Sequence, residues 1–205
     1  MFITLEGIDR AGKSTQATLL AGALGPETLL LREPGGTAAG ERMRELLKDP
    51  EIALAPRAEL LLFCAARAEL VARVIAPALR DGRDVVCDRF IDSTVAYQGV
   101  ARGLGRESVE TLNAVAIGDC IPDVTVLLRI DPARAVARGQ QRLAAGSADG
   151  SDRFEGEGID LQRTVAAAYD EIASRNPERV AVVDAEGTVE EVRTRVMGAV
   201  EGAKR

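Results

Sequence analysis

Histidine is absent from all 205 residues of the chain. That removes the usual general base of Ser-His-Asp and Cys-His sites, and the commonest nitrogen ligand for zinc or haem iron. Cysteine is scarce as well. Cys64, Cys87 and Cys120 are odd in number, widely spaced and in no CxxC pattern, so neither a disulfide framework nor a thiolate metal site is expected. Buried, reduced thiols are the natural reading, and they suit a cytoplasmic protein. No apolar run reaches the length of a membrane span, since AELLLFCAARAELV is broken by Arg67 and Glu69. The start, MFITLEGIDR, lacks the positive residues and long apolar core of a signal peptide. Positive charge is also in deficit, with a formal net charge of −6. This argues against a dedicated nucleic-acid binder, whose backbone affinity needs clustered Lys and Arg. A local basic cleft remains compatible with that total.

What is present is enough for one substantial core. Hydrophobic residues make up 46% of the chain, no internal repeat or interdomain linker is visible, and residues 1–205 read as a single domain. Short apolar runs alternate with longer amphipathic ones. MFITLE, ETLLLR, RDVVCDR, DVTVLLRI and RVAVVDA predict five strands, several of them apolar on both faces, as a parallel sheet covered on both sides requires. Helical periodicity falls at about 13–24, 37–48, 56–81, 106–117, 131–144, 158–174 and 188–202. Pro56 suits the first turn of the third helix and Pro77 should kink or shorten its end. The expected architecture is α/β: a three-layer fold with a parallel sheet of about five strands and helices on both faces, and the segment GIDRAGKS (7–14) after the first strand makes it the P-loop NTPase type. The stretch LAAGSADGSDRFEGEG (143–158) has no strand pattern and reads as either a mobile lid or plain disorder.

Gly7-Ile8-Asp9-Arg10-Ala11-Gly12-Lys13-Ser14 matches the phosphate-binding pattern G-x-x-x-x-G-K-[ST] completely. An apolar strand precedes it and a helical pattern follows, which is the context the chemistry needs. The glycines let backbone N–H groups turn inward as an anion nest, and the helix N-terminus adds partial positive charge. Lys13 is expected on the β- and γ-phosphates of ATP and the Ser14 hydroxyl on Mg²⁺, with Thr15 completing the nucleotide-binding segment. The x positions of such a loop tolerate many residues, so Asp9 and Arg10 are not explained by the pattern alone. VVCDRF ends a buried strand in Asp88, where a carboxylate would hold Mg²⁺ or its waters, and Arg89 follows at the carboxyl end of the sheet. Beside a phosphate loop, Arg89 is suited to bind a second phosphate bidentately. No guanine-reading N/TKxD motif occurs, which weighs against a GTPase switch.

EGIDRAGKST, LREPGGT, LLFCAARAEL, DRFIDSTVAYQG and SDRFEGE occur in the order and spacing of a thymidylate kinase, and the chain resembles that family from Phe2 to about residue 185. The resemblance implies MgATP-dependent phosphorylation of dTMP to dTDP by a homodimer. Phe63 and Arg67, four apart on one helix face, would stack the pyrimidine and donate to its O4; Arg only donates, which favours thymine over cytosine. Arg32 and a rigid Glu33-Pro34 turn would line the acceptor site, with a cis bond at Pro34. Ser93, Thr94, Tyr97 and Gln98, on the helix after Asp88, would face base and sugar, and Tyr97 would disfavour a 2′-hydroxyl. Asp9 would meet the sugar 3′-OH or its associated water and metal, and Arg10 would touch the migrating phosphoryl group. Family members carry the catalytic arginine either in the phosphate loop or in the lid. Here Arg10 competes with Arg142 and Arg153, and with Arg138 on the helix face shared with Arg142, so the bearer of transition-state charge stays open. Glu155 is a further candidate for Mg²⁺, and DAEGTVEEV (184–192) for the adenine pocket. The alternatives are a kinase for another nucleotide or a deoxynucleoside, and a P-loop ATP-binding switch.

Overall fold

The computed structural model describes residues 1–144 and 158–203, giving backbone only over 141–144. Among these residues five strands form one sheet: β1 Phe2–Glu6, β2 Leu29–Arg32, β3 Val85–Asp88, β4 Val124–Arg129 and β5 Val180–Asp184. All neighbours are parallel, in the order β2-β3-β1-β4-β5. β1 sits at the centre with every residue buried, which is why its sequence runs apolar without alternation. From β1 the chain goes first to β2 and β3 on one side and only later to β4 and β5 on the other. The crevice that this reversal leaves at the carboxyl ends of the strands is where ligands of open α/β sheets bind. Leu5, Asp88 and Arg32 stand in register at that edge.

The helices cover both faces of the sheet, and their ends follow local chemistry. α1 (Lys13–Leu24) starts at Gly12, whose φ of 99° lies in the left-handed region. α2 (Ala38–Lys48) is capped by Thr37, whose hydroxyl accepts from the Gly40 amide at 2.9 Å. α3 (Pro56–Leu70) begins on Pro56, as expected. The predicted 56–81 helix is continuous in extent but not regular. A π-helical turn, Val71–Ile75, separates α3 from α4 (Ala76–Arg80). Pro77 has no N–H to give the carbonyl one turn back, and the widened turn accommodates that loss. α5 (Ile91–Thr94) likewise passes into a π-helical stretch, Val95–Ala101. α6 (Arg106–Ile117), α7 (Pro132–Ala144), α8 (Ile159–Arg175) and α9 (Val189–Ala203) complete the layers. The segment expected as a lid, 143–158, lies almost wholly outside the described residues. No described helix is long and apolar enough to cross a membrane.

Candidate active site

Two residues without glycine's freedom take left-handed backbone, Arg10 at φ 65° and Arg89 at φ 72°, the only non-glycines to do so among the described residues. Both sit where strands deliver the chain into the crevice, and such conformations persist only when their surroundings hold them. Gly7 has no choice of side chain: a Cβ there would lie 2.6 Å from the Leu128 carbonyl oxygen of β4. The loop after β1 can therefore run flush against the neighbouring strand.

The loop and the end of β3 converge on one cleft of about 340 Å³. Lys13 is buried, and its ammonium donates to the Ile8 carbonyl at 2.7 Å. Burial and the nearby Arg89 guanidinium push it down to about 8, against the upward pull of Asp9, Asp88 and Glu6. The Ser14 hydroxyl donates to Asp88 Oδ2 at 2.5 Å, while Asp88 Oδ1 is buried with no hydrogen-bond partner among the described residues. One hydroxyl and one carboxylate with an orphaned oxygen suit a cation that keeps most of its waters, as Mg²⁺ does. No group of three His, Cys, Asp or Glu that could hold a metal occurs among the described residues.

Asp9 lines the same cleft. Its Oδ1 accepts from Arg89 Nη2 and its Oδ2 from Gln162 Nε2 at 2.9 Å, while its amide donates to Gln162 Oε1 at 3.2 Å. Burial would raise its pKa, but Arg89 and Lys13 outweigh that and hold the carboxyl below its ordinary value. Both Asp9 oxygens meet protein donors, whereas Asp88 keeps one oxygen with no hydrogen-bond partner among the described residues. Gln162, on α8, was not foreseen. A single glutamine 153 positions away from Asp9 leaves no local pattern to read.

Arg89 is held on several sides. Nη1 donates to Ser93 Oγ at 3.0 Å, the Gly7 carbonyl at 3.2 Å and the Tyr169 hydroxyl at 3.4 Å, and the guanidinium lies 5.1 Å from the Tyr97 ring centroid. Its side chain keeps 21% exposure toward the cleft. Behind it is a second unforeseen unit. Glu6 accepts from the Phe90 amide (2.7 Å), Ser93 Oγ (2.6 Å) and Tyr169 OH (2.8 Å). Burial and the neighbouring Asp92 raise Glu6 above the usual carboxylate range.

The acceptor side also needs correction. Phe63 lines the cleft half-buried beside Pro34, and the Glu33-Pro34 bond is cis, as the resemblance implied. Arg67, however, is 1% exposed. Its Nε and Nη2 donate to Glu33 at 2.9 and 2.6 Å, Nη1 to Asn113 at 2.6 Å, and Nη2 also to the Phe90 carbonyl and Thr94 Oγ1. One Nη1 hydrogen is left over for a ligand. Burial drives Glu33 up to about 7 despite the opposing pull of Arg67. Ser93 and Thr94 border the cleft, and their hydroxyls also serve Glu6, Arg89 and Arg67. Gln98 likewise gives its amide to Glu59 at 2.8 Å. The Tyr97 ring reaches the cleft beside Arg89, and burial pushes its hydroxyl well up. Arg32 donates to Glu41 at 2.9 Å from the rim. Arg138 turns away from the crevice to the Ala185 carbonyl, at 3.0 Å. Arg142 has no described side chain, and Arg153 and Glu155 lie outside the described residues.

Seven cationic side chains line this cleft against three carboxylates, on a chain whose net charge is −6. Two of them, Arg44 and Lys48 on α2, were not anticipated. Such a concentration of positive charge suits two polyanionic ligands brought face to face. The comparisons agree. A sequence profile of the thymidylate kinase family matches residues 5–196. The chain belongs to the thymidylate kinase family. It is 46% identical to a thymidylate kinase of Desulfosudis oleivorans over 98% of this chain and 96% of the relative. It is 46% identical to that of Solidesulfovibrio magneticus, over 98% of each chain. The crystal structure of thymidylate kinase from Ehrlichia chaffeensis superposes with a TM-score of 0.79 at 33% identity, covering 98% of both chains. In this member of the thymidylate kinase family, the glycine-rich loop after β1 and Arg89 after β3 line one cleft at the carboxyl edge of the sheet.

Proposed function

We propose that the chain transfers the γ-phosphoryl group of ATP to dTMP, giving ADP and dTDP. The observation that supports this reading is one cleft lined by Lys13 and Ser14 of the loop after β1 and also by Phe63, Arg67 and Tyr97, with Arg89 bonded to Gly7 and Asp9 of that loop and lying beside the Tyr97 ring. An oxygen of the dTMP phosphate forms the new bond to the γ-phosphorus as the bond to the β,γ-bridging oxygen breaks. That oxygen is already ionised, so no general base is required, and a chain without histidine loses nothing by it. Catalysis is then positioning plus charge stabilisation. Lys13 neutralises the donor's phosphates, Arg89 holds the acceptor phosphate, and Arg10 meets the group in flight. Phe63 stacks the pyrimidine, and the remaining Arg67 N–H reaches its carbonyl. Mg²⁺ held by Ser14 and Asp88 would neutralise the β- and γ-phosphate oxygens.

Coupled ADP release with MgATP and, separately, dTMP, dUMP, dCMP, AMP, GMP or thymidine tests the assignment. Turnover with dTMP well above that with dCMP or the purine nucleotides is expected. Equal ADP release with no acceptor would replace the kinase reading with an ATPase or switch. For the metal, Ser14→Ala should weaken Mg²⁺ in the ternary complex by roughly 10–100-fold, the scale seen for altered metal surroundings. Calorimetric titration of Mg²⁺ into the ATP complex reads this without turnover, and an unchanged affinity would take Ser14 out of the metal site. We also read residues 1–205 as one domain acting in the cytoplasm as a homodimer, which the family resemblance supports.

A further inference from the structure

α7 carries a glycine in its interior, Gly139, and the place where its side chain would be is occupied. A Cβ built there would lie 2.3 Å from both Cδ and Nε of Arg10 and 2.6 Å from its Cζ. Real atoms do not approach so closely, so any other residue at 139 must displace something. Gly139 is buried, and Ala135, one turn earlier on the same face, is buried too. The two small residues form a bed along α7, and the Arg10 side chain lies across it on its way into the cleft.

Which partner would yield is decided by how each is held. α7 is fixed from its other side, where Arg138 donates to the Ala185 carbonyl at 3.0 Å and Arg134 pairs with Glu186 at 2.5 Å. Its first turn is capped by Asp131, whose Oδ1 accepts from the Ala133 and Arg134 amides. The Arg10 backbone is held in a left-handed conformation inside a tight loop, with the Ala11 amide on the Ile8 carbonyl. Only the flexible end of the Arg10 side chain is free to move. Space at Gly139 is therefore what sets the guanidinium's position.

We infer that Gly139 is a positioning residue for phosphoryl transfer: the missing side chain leaves the bed that aims Arg10 at the migrating phosphoryl group. This rests on the role given to Arg10 above, and the experiment separates the two. Ala replaces Gly in a helix interior with a gain in helix propensity, so Gly139→Ala should fold with an equal or higher Tm. A misplacement of about 1 Å is enough for a loss of order 100-fold. Gly139→Ala should accordingly lower kcat by roughly 10–100-fold, with the KM values for ATP and dTMP nearly unchanged. Arg10→Ala should also lower kcat. Adding Gly139→Ala to Arg10→Ala should then change nothing further, because the displaced side chain is gone; this double variant also serves as the folding control. Wild-type kcat in Gly139→Ala beside a low kcat in Arg10→Ala would overturn the positioning role and leave Arg10's role standing. Equal losses in both backgrounds would overturn it too, since Gly139 would then act through another group. Wild-type kcat in Arg10→Ala would remove Arg10 from the reaction and the inference with it.

Discussion

Lys13→Ala should lower kcat by at least 10²–10³-fold, roughly the loss expected when one preorganised donor to developing negative charge is removed. In the structure the ammonium is buried and has one backbone carbonyl for company, at 2.7 Å. Burial and Arg89 together pull its pKa from 10.5 to about 8. A cation held that far below its ordinary value is under-neutralised, and an arriving triphosphate supplies the missing counter-charge. Above pH 8 the free protein should therefore take up a proton as ATP binds, and ATP affinity should fall as pH rises through about 8. Calorimetry in buffers of different ionisation enthalpy would detect that proton at pH 9 in the wild type and not in Lys13→Ala. The stability sign is the opposite of an ordinary lysine's. Because the folded pKa is below the unfolded one, the unfolded chain binds more protons between about 8 and 10.5, and this group's contribution to stability rises with pH there. Removing it should leave Tm at pH 7 equal to or above the wild-type value, so lost activity is not lost fold. A kcat within tenfold of wild type would overturn the phosphate role.

The parts of this site that could be read in advance are those whose physics is local. Strands buried on both faces must be apolar throughout, so β1, β3 and β4 were visible as runs, and a phosphate nest needs Gly7, Gly12, Lys13 and Ser14 at one spacing. What escaped depends on contacts between distant segments. Gln162 and Tyr169 sit on an ordinary amphipathic helix, and nothing near them announces that they support Asp9 and Glu6. Arg44 and Lys48 look like the solvated face of α2 until the fold turns that face toward the cleft. Ser93 and Thr94 border the cleft, as their place on the helix after Asp88 implies, but a hydroxyl at a cleft wall has two sides, and their bonds to Glu6 and Arg67 are not visible in sequence. The π-helical turns at 71–75 and 95–101 keep the apolar pattern of an α-helix closely enough to pass for one. Gly139 reads only as a residue that weakens a helix by about 1 kcal/mol relative to Ala. The reason for that weakness lies in Arg10, far away in the chain.

Arg67 shows why burial changes what a substitution reports. Read as a ligand for thymine, Arg67→Ala should weaken dTMP binding selectively. In the structure the same side chain joins the turn after β2 to α5 and α6 through Glu33, Phe90, Thr94 and Asn113. Truncating it leaves the Glu33 carboxylate buried without its counter-ion, a defect that typically costs about 3–5 kcal/mol. At about 2–4 °C per kcal/mol for a chain of this size, Tm should fall by about 6–20 °C. The loss should also depend on pH. Glu33 already sits near 7 with Arg67 beside it, and without the guanidinium its folded pKa moves higher still. A carboxyl raised in the folded state favours folding at low pH, and that contribution fades as pH climbs through the folded value. Arg67→Ala should therefore lose more Tm at pH 8 than at pH 5.5, and adding Glu33→Gln should recover part of the deficit at pH 8. Phe63→Ala is the cleaner probe of the base site: half-buried at the cleft wall, it should raise KM for dTMP while leaving Tm and KM for ATP close to wild type. A Tm within 2 °C of wild type for Arg67→Ala at pH 8 would refute its role as a buried junction, since a loss above 3 kcal/mol shifts Tm by roughly 6 °C or more. Thymine recognition would then be the whole of its work.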